Sequence, residues 1–150
     1  MNFPVGNVLS KGELPNNIIS VASGLEQKKF NGYIVQSVKG EVIEEGVLFF
    51  RDGKISACIV ECVLLKQTFK GKEAIELFLN QTKGKGFFQV VELTRSQVDL
   101  VEAFDEILMT REIALKDLPK LIPTTYATRF RGEAKKENFL ERYGLSDLKK

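Results

Sequence analysis

Apolar positions recur along this chain with two different spacings. Ile18, Val21, Ala22 and Leu25 fall three and four residues apart, which predicts a helix buried along one face. Pro15-Asn16-Asn17 supplies its cap, Lys28 and Lys29 occupy its last turn, and Asn31-Gly32 breaks the pattern. Tyr33 to Val38 and Val42 to Phe50 then read as strands, turned at Lys39-Gly40-Glu41. Ile55 to Leu65 is apolar in both phases of an alternating pattern: Ile55, Ala57, Ile59, Val63 and Leu65 in one, Cys58, Val60, Cys62 and Leu64 in the other. That predicts a central strand covered on both sides, with a helix open as the alternative for its second half. Helical spacing returns at Ala74, Ile75, Phe78 and Leu79, and Gly84 and Gly86 end it. Phe87 to Leu93 is a further strand, and Val98, Val101, Phe104, Ile107 and Leu108 mark a further helix.

Two local signals are sharper than the periodicity. Asp52-Gly53 between β-rich runs predicts a type I′ hairpin turn, because both central positions need positive φ. The two-residue loop then predicts a register of Arg51 opposite Lys54, Phe50 opposite Ile55, Leu48 opposite Ala57 and Val47 opposite Cys58. Thr94-Arg95-Ser96-Gln97 is a capping box in which hydroxyl and carboxamide each satisfy the other residue's backbone N–H, with Leu93 and Val98 as the hydrophobic staple.

The order is helix, three strands, helix, strand, helix, then a tail. It predicts an α+β fold: a small antiparallel sheet of about four strands with helices packed against it, plus a C-terminal helical tail. The tail helix is expected near 133–143, with Gly144 as its stop and Leu145 meeting Leu140. Charge suggests the same division. Residues 1–109 carry 12 basic and 14 acidic groups, whereas 110–150 carry 10 and 6. The expected organisation is an α+β core domain at 1–109 and a basic C-terminal extension at 110–150.

Composition narrows the chemistry. The 150 residues suffice for one domain with its own core. There is no His, so Ser-His-Asp and Cys-His mechanisms and imidazole-dependent zinc sites are excluded. A net charge of +2 is low for a strongly electrostatic nucleic-acid or membrane binder. The two cysteines, Cys58 and Cys62, sit in the most apolar run. On a strand they lie about 13 Å apart, too far for a disulfide. They read as buried inert thiols, against the alternative of a redox or metal pair. No window approaches a membrane span, and Pro4, Gly6 and Glu13 interrupt any signal-peptide core. The expectation is a cytoplasmic protein with no membrane association.

Phe30 and Gly32; Gly46, Leu48 and Phe50; Asp52, Gly53, Lys54 and Ile55 with Ala57; Gly71, Glu73 and Ala74; and Gly86, Phe87 and Phe88 follow one another as a distinctive set. In this the chain resembles the domain of unknown function found in PatA-type bacterial response regulators and in related uncharacterised archaeal proteins. The match runs over about residues 14 to 108. Ala57 follows Ile55 by two positions where the pattern often has three. Leu140 to Leu145 is similar to a Leu-x-x-Tyr-Gly segment of the archaeal relatives. The resemblance implies a regulatory or scaffolding module and transfers no catalytic residue. Every matching position already has a reason as turn, cap or core.

Candidate sites are few. Gly53-Lys54 and Gly71-Lys72 lack the upstream glycine and the following Ser or Thr of a phosphate loop. Glu61, the carboxylate inside the apolar run, would face Glu44 in an unbroken hairpin, and such a pair is an acid/base candidate. The plainer reading is a ladder that ends or bulges near Glu45. Tyr126, Arg129, Phe130 and Arg131, with Lys135 and Lys136, mix aromatic and basic groups as single-strand nucleic-acid binders do. They read equally as a tail laid on the domain. Eleven Phe exceed one small core's needs, which marks Phe87, Phe88 and Phe130 as candidate interface residues. The leading expectation is a non-catalytic regulatory or protein-interaction module, with a protein partner or self-association and no cofactor or metal. The alternatives are nucleic-acid binding through the basic segment, or a small-ligand protein or enzyme with Glu61 as acid/base.

Overall fold

The computed structural model describes residues 3–62, 64–104, 115–123 and 125–127. The strands are β1 (Asn7–Leu14), β2 (Gly32–Lys39), β3 (Ile43–Arg51), β4 (Lys54–Cys62), β5 (Gln67–Lys70) and β6 (Gly86–Glu92). The helices are α1 (Ile18–Gln27), α2 (Lys72–Gln81) and α3 (Arg95–Phe104), followed by a 3-10 helix at Leu115–Leu121. All six strands form one antiparallel sheet in the order β1-β6-β2-β3-β4-β5.

The α+β class stands, and the sheet is larger than the about four strands expected. β1 was hidden because its side chains are almost all exposed, leaving no apolar alternation to read. Backbone pairing with β6 holds it at the edge. β5 is a four-residue edge strand that pairs back on β4. β4 itself ends at Cys62, earlier than the apolar run to Leu65 predicts. The expected tail helix near 133–143 lies outside the described residues.

One face of the sheet carries the main core. Ile34 and Val38, Leu48 and Phe50, and Cys58 and Val60 meet α1 and α2 through Ala22, Leu25, Ala74, Ile75, Phe78 and Leu79. Leu118, 1 % exposed, brings the 3-10 helix onto the same face. The opposite face carries Val47, Phe49, Ala57 and Ile59 beneath Leu93 and Val98, the staple that opens α3. There the Phe3 ring stands edge-on to Phe49 at 4.8 Å between centroids.

The caps follow the sequence closely. Asn17 accepts from the Ser20 N–H at 3.2 Å. The Gln97 N–H donates to Thr94 Oγ1 at 3.2 Å, and the Thr94 N–H donates to Gln97 Oε1 at 2.9 Å. α1 ends sooner than expected: Lys28 is its cap and Lys29 takes φ 51°, the left-handed position usually given to glycine. The Phe30 N–H then bonds the Leu25 carbonyl at 3.0 Å, drawing the Phe30 ring into the core.

The hairpin turn has its two positive φ values, 51° at Asp52 and 84° at Gly53. Gly53 is required twice over, because a Cβ there would sit 2.7 Å from the Glu26 carbonyl oxygen. Arg51 opposes Lys54 and Phe50 opposes Ile55, as predicted. Beyond them the register departs from the sequence reading. A bulge at Ser56 sets Phe49 opposite Ala57, Leu48 opposite Cys58 and Val47 opposite Ile59. The extra residue exchanges the faces: Ile55 joins Cys58, Val60 and Cys62 under the helices, while Ala57 and Ile59 turn to the α3 side.

The bulge yields a test. Ser56 is the inserted residue, and its buried hydroxyl has no hydrogen-bond partner among the described residues. Deleting it restores plain alternation with every observed pair kept. The deletion is expected to leave a cooperative unfolding transition within about 1.5 kcal/mol of the parent in urea. Deleting Ile59 instead turns Val60 to the wrong face and is expected to abolish that transition.

Candidate functional site

Strand alternation drives a carboxylate inward. Leu48 and Phe50 set the phase of β3 towards the helices, and Glu44 is in that same phase at the far end of the strand. It is 0 % exposed. On β2 the same logic buries Gln36 between Ile34 and Val38, also at 0 %. On α2, Gln81 lies one turn beyond Phe78 on the inward face and is likewise 0 % exposed. Three polar side chains therefore share the end of the core beneath α2.

They are joined in a chain of hydrogen bonds. Gln36 Nε2 donates to the Phe78 carbonyl at 3.1 Å and to Gln81 Oε1 at 3.4 Å. Gln81 Nε2 reaches Glu44 Oε1 at 3.5 Å, a long contact. The Tyr126 hydroxyl donates to Glu44 Oε2. Gly46 makes room for the bridge, since a Cβ there would lie 2.2 Å from Gln81 Oε1. Gln36 Oε1 keeps no partner among the described residues, an uncompensated acceptor inside the core.

Tyr126 reaches the cluster through a slot between two turns. A Cβ on Gly40 would lie 2.7 Å from its hydroxyl, and one on Gly84 would lie 3.1 Å from its ring. The next residue is fixed as well: the Asn80 side chain donates to the Ala127 carbonyl at 2.8 Å and accepts from the Ala127 N–H at 2.9 Å. With Leu121 and Ile122 half-buried against the core, residues 121–123 and 125–127 form a strap over the end of the sheet.

Burial sets the proton affinities. It pushes the Tyr126 phenol well above its ordinary value, and the bond to Glu44 and that carboxylate's charge push it further. Burial alone drives the Cys58 thiol far up, and it raises Cys62 too. Both cysteines are free and buried. These are protonated, unreactive thiols rather than nucleophiles.

The sequence candidates distribute differently from expectation. Glu61 does not face Glu44. The Ser56 bulge displaces the ladder by one position, so Glu61 opposes Glu45, and Glu44 turns to the other side of the sheet. Phe88, 5 % exposed, belongs to the main core. Phe87, its neighbour in the alternation, is 57 % exposed. Tyr126 points inward to Glu44 rather than outward to stack on a base. Arg129, Phe130 and Arg131, with Lys135 and Lys136, lie outside the described residues. Sequence reasoning missed Gln36, Gln81 and Asn80 as members of the site. Their signal was a polar residue in an apolar phase: Gln36 between Ile34 and Val38, and Gln81 three residues after Phe78.

A second polar group sits at the hairpin tip. Arg51 pairs with Asp99 at 2.9 Å and with Glu102, and Arg95 pairs with Asp52 at 3.0 Å. These ties hold α3 over the β3–β4 turn. No group of three or more His, Cys, Asp or Glu side chains among the described residues converges as a metal site would. No helix among them is long and apolar enough to cross a membrane.

Residues 1–104 match the family described as an uncharacterized protein conserved in archaea (DUF2226). The chain belongs to that family. No curated protein and no solved structure matches it. In this DUF2226 member the matched residues supply Gln36, Glu44, Asn80 and Gln81, whereas Tyr126 and Ala127 come from beyond the match.

Two expectations follow from the site. Gly46→Ala collides with the Gln81 carboxamide and should cost about 1–3 kcal/mol by urea unfolding, and clearly less in a Gln81→Ala background. Alkali should destabilise the fold. Unfolded thiols ionise near 9 and the unfolded phenol near 10, whereas the native groups hold their protons. Stability is therefore intact below pH 9 and falls above it, by up to about 1.4 kcal/mol per pH unit for the fully buried Cys58 thiol and by less for the half-buried Tyr126 phenol, which solvent screens. Cys58→Ala should flatten the first part of that fall in denaturation series from pH 8 to 11.

Proposed function

We propose that the chain is a non-catalytic protein-interaction module with a regulatory role, the role expected if its sequence pattern is that of the PatA-type response-regulator domain. The observation that carries this reading is the closure of the polar cluster. The carboxylate, the two carboxamides and the phenol are joined in one hydrogen-bonded chain beneath the strap. A general acid or base has to meet its substrate within hydrogen-bond reach. Glu44, at 0 % exposure, is instead shielded by the protein's own tyrosine. Protonated, buried thiols support the same reading, because neither is poised to attack. Phe87 supplies an exposed aromatic of the type that anchors protein interfaces.

Capture of the tagged full chain from its own cells provides the test. The expected outcome is a stoichiometric protein partner whose recovery survives nuclease and drops at least about tenfold with Phe87→Asp. Nuclease-sensitive recovery that depends on Arg129 and Arg131 would favour nucleic-acid binding instead. Turnover of a small molecule that is lost in Glu61→Gln would favour an enzyme.

A further inference from the structure

The strap is bound in the manner of a peptide ligand. Its two points of attachment differ in kind. Asn80 meets both the N–H and the carbonyl of Ala127, at 2.9 and 2.8 Å, as a neighbouring strand would. Such a contact reads main chain and is indifferent to the side chain, and Ala127 is itself exposed. Only proline, which lacks the N–H, is excluded. Glu44, by contrast, reads one side chain. A phenol can donate to its carboxylate at the bottom of the slot, and a Phe ring cannot. The fit at Gly40 leaves no room beyond the hydroxyl, and a phosphate there would set a dianion against the carboxylate. Ahead of the tyrosine, Leu121 and Ile122 lie against the core and Pro123 restricts the backbone, which lowers the entropy lost on docking.

Every receptor group lies between Gly40 and Gly84, inside the residues that match the family, while the occupant lies beyond them. We infer that this slot is a docking site for an unphosphorylated peptide bearing Tyr followed by any residue but Pro, and that Tyr126 and Ala127 of the strap fill it in cis. A partner segment of that chemistry binds by displacing the strap, so the strap sets the threshold for docking. This inference rests on the interaction-module reading and names the ligand class for one surface of it. Its test is made on purified protein. A negative result here leaves the Phe87-dependent capture untouched.

The full chain carrying Tyr126→Ala and Ala127→Pro loses both attachments and should present a vacant slot. A fluorescent peptide of the sequence 118–127, Leu-Pro-Lys-Leu-Ile-Pro-Thr-Thr-Tyr-Ala, is titrated against it by anisotropy. The expected result is saturable binding, at least about tenfold weaker for peptides with Phe or phosphotyrosine in place of Tyr, for the same vacated chain with Asn80→Ala added, and for wild type, whose strap competes. No binding by the variant while its Phe49 and Phe50 amides remain protected, or equal binding of the three peptides, would overturn the inference. Hydrogen exchange on the wild type decides the matter even if the variant fails to fold. The Ala127 amide is expected to exchange at least about a hundredfold faster than the β3 amides, through opening of the strap alone. Exchange of Ala127 only with global unfolding would make the strap a fixed part of the core and contradict the proposal.

Discussion

A carboxylate with no access to water is the constraint around which this end of the molecule is arranged. Burying an ionisable oxygen pair is costly unless donors meet it. Glu44 cannot avoid burial, because it shares the inward phase of a strand whose other inward residues, Leu48 and Phe50, are core. The surrounding sequence answers that demand in several places at once. Gln81 brings an amide from the last turn of α2, Gly46 clears the space for it, and Gly40 and Gly84 open the way for a phenol from more than 80 residues along the chain. The strap thus delivers a donor to the carboxylate while Asn80 and the core packing of Leu121 and Ile122 hold it in place.

The same demand links fold to function. An apolar residue in place of Glu44 would complete the core with less difficulty, as buried ion and polar groups commonly do not improve stability over well-packed hydrophobes. What a polar group at the floor of a slot adds is selectivity: it rewards one occupant and penalises others by leaving itself unsatisfied. Asn80 complements it by gripping main chain, so the two residues divide recognition between a specific side chain and a generic backbone. At the other end of the sheet the hairpin tip is tied differently. Charged pairs at the solvent edge bind Arg51 and Asp52 to α3, and the Gly53 N–H donates to the Phe30 carbonyl at 2.8 Å. That end is fastened by ion pairs at the surface, and the Glu44 end by buried hydrogen bonds from α2 and the strap.

Much of this architecture was legible in the sequence. The buried faces of α1 and α2, the capping box at Thr94 and Gln97, and the Asp52-Gly53 turn follow from local chemistry that tertiary context did not alter. β1 was not legible, because its side chains carry no pattern and its pairing is made by backbone alone. The bulge at Ser56 was not legible either, since from Ile55 to Val60 β4 is apolar in both phases and either register buries apolar side chains on both faces. That slip is what moved Glu61 from Glu44 to a place opposite Glu45, in line with the plainer reading of a bulged ladder. Gln36 and Gln81 were visible as polar residues in apolar phases, but the meeting of Gln81 with Glu44, 37 residues apart, depends on the sheet order.

A double-mutant cycle between Glu44→Gln and Tyr126→Phe, read by urea unfolding of the full chain at neutral pH, tests the central claim most directly. If the phenol is the donor that makes the buried carboxylate tolerable, the two changes are strongly non-additive, with a coupling energy of about 1.5–3 kcal/mol. Additivity within about 0.5 kcal/mol would mean that Tyr126 and Glu44 do not depend on one another, and would contradict the account.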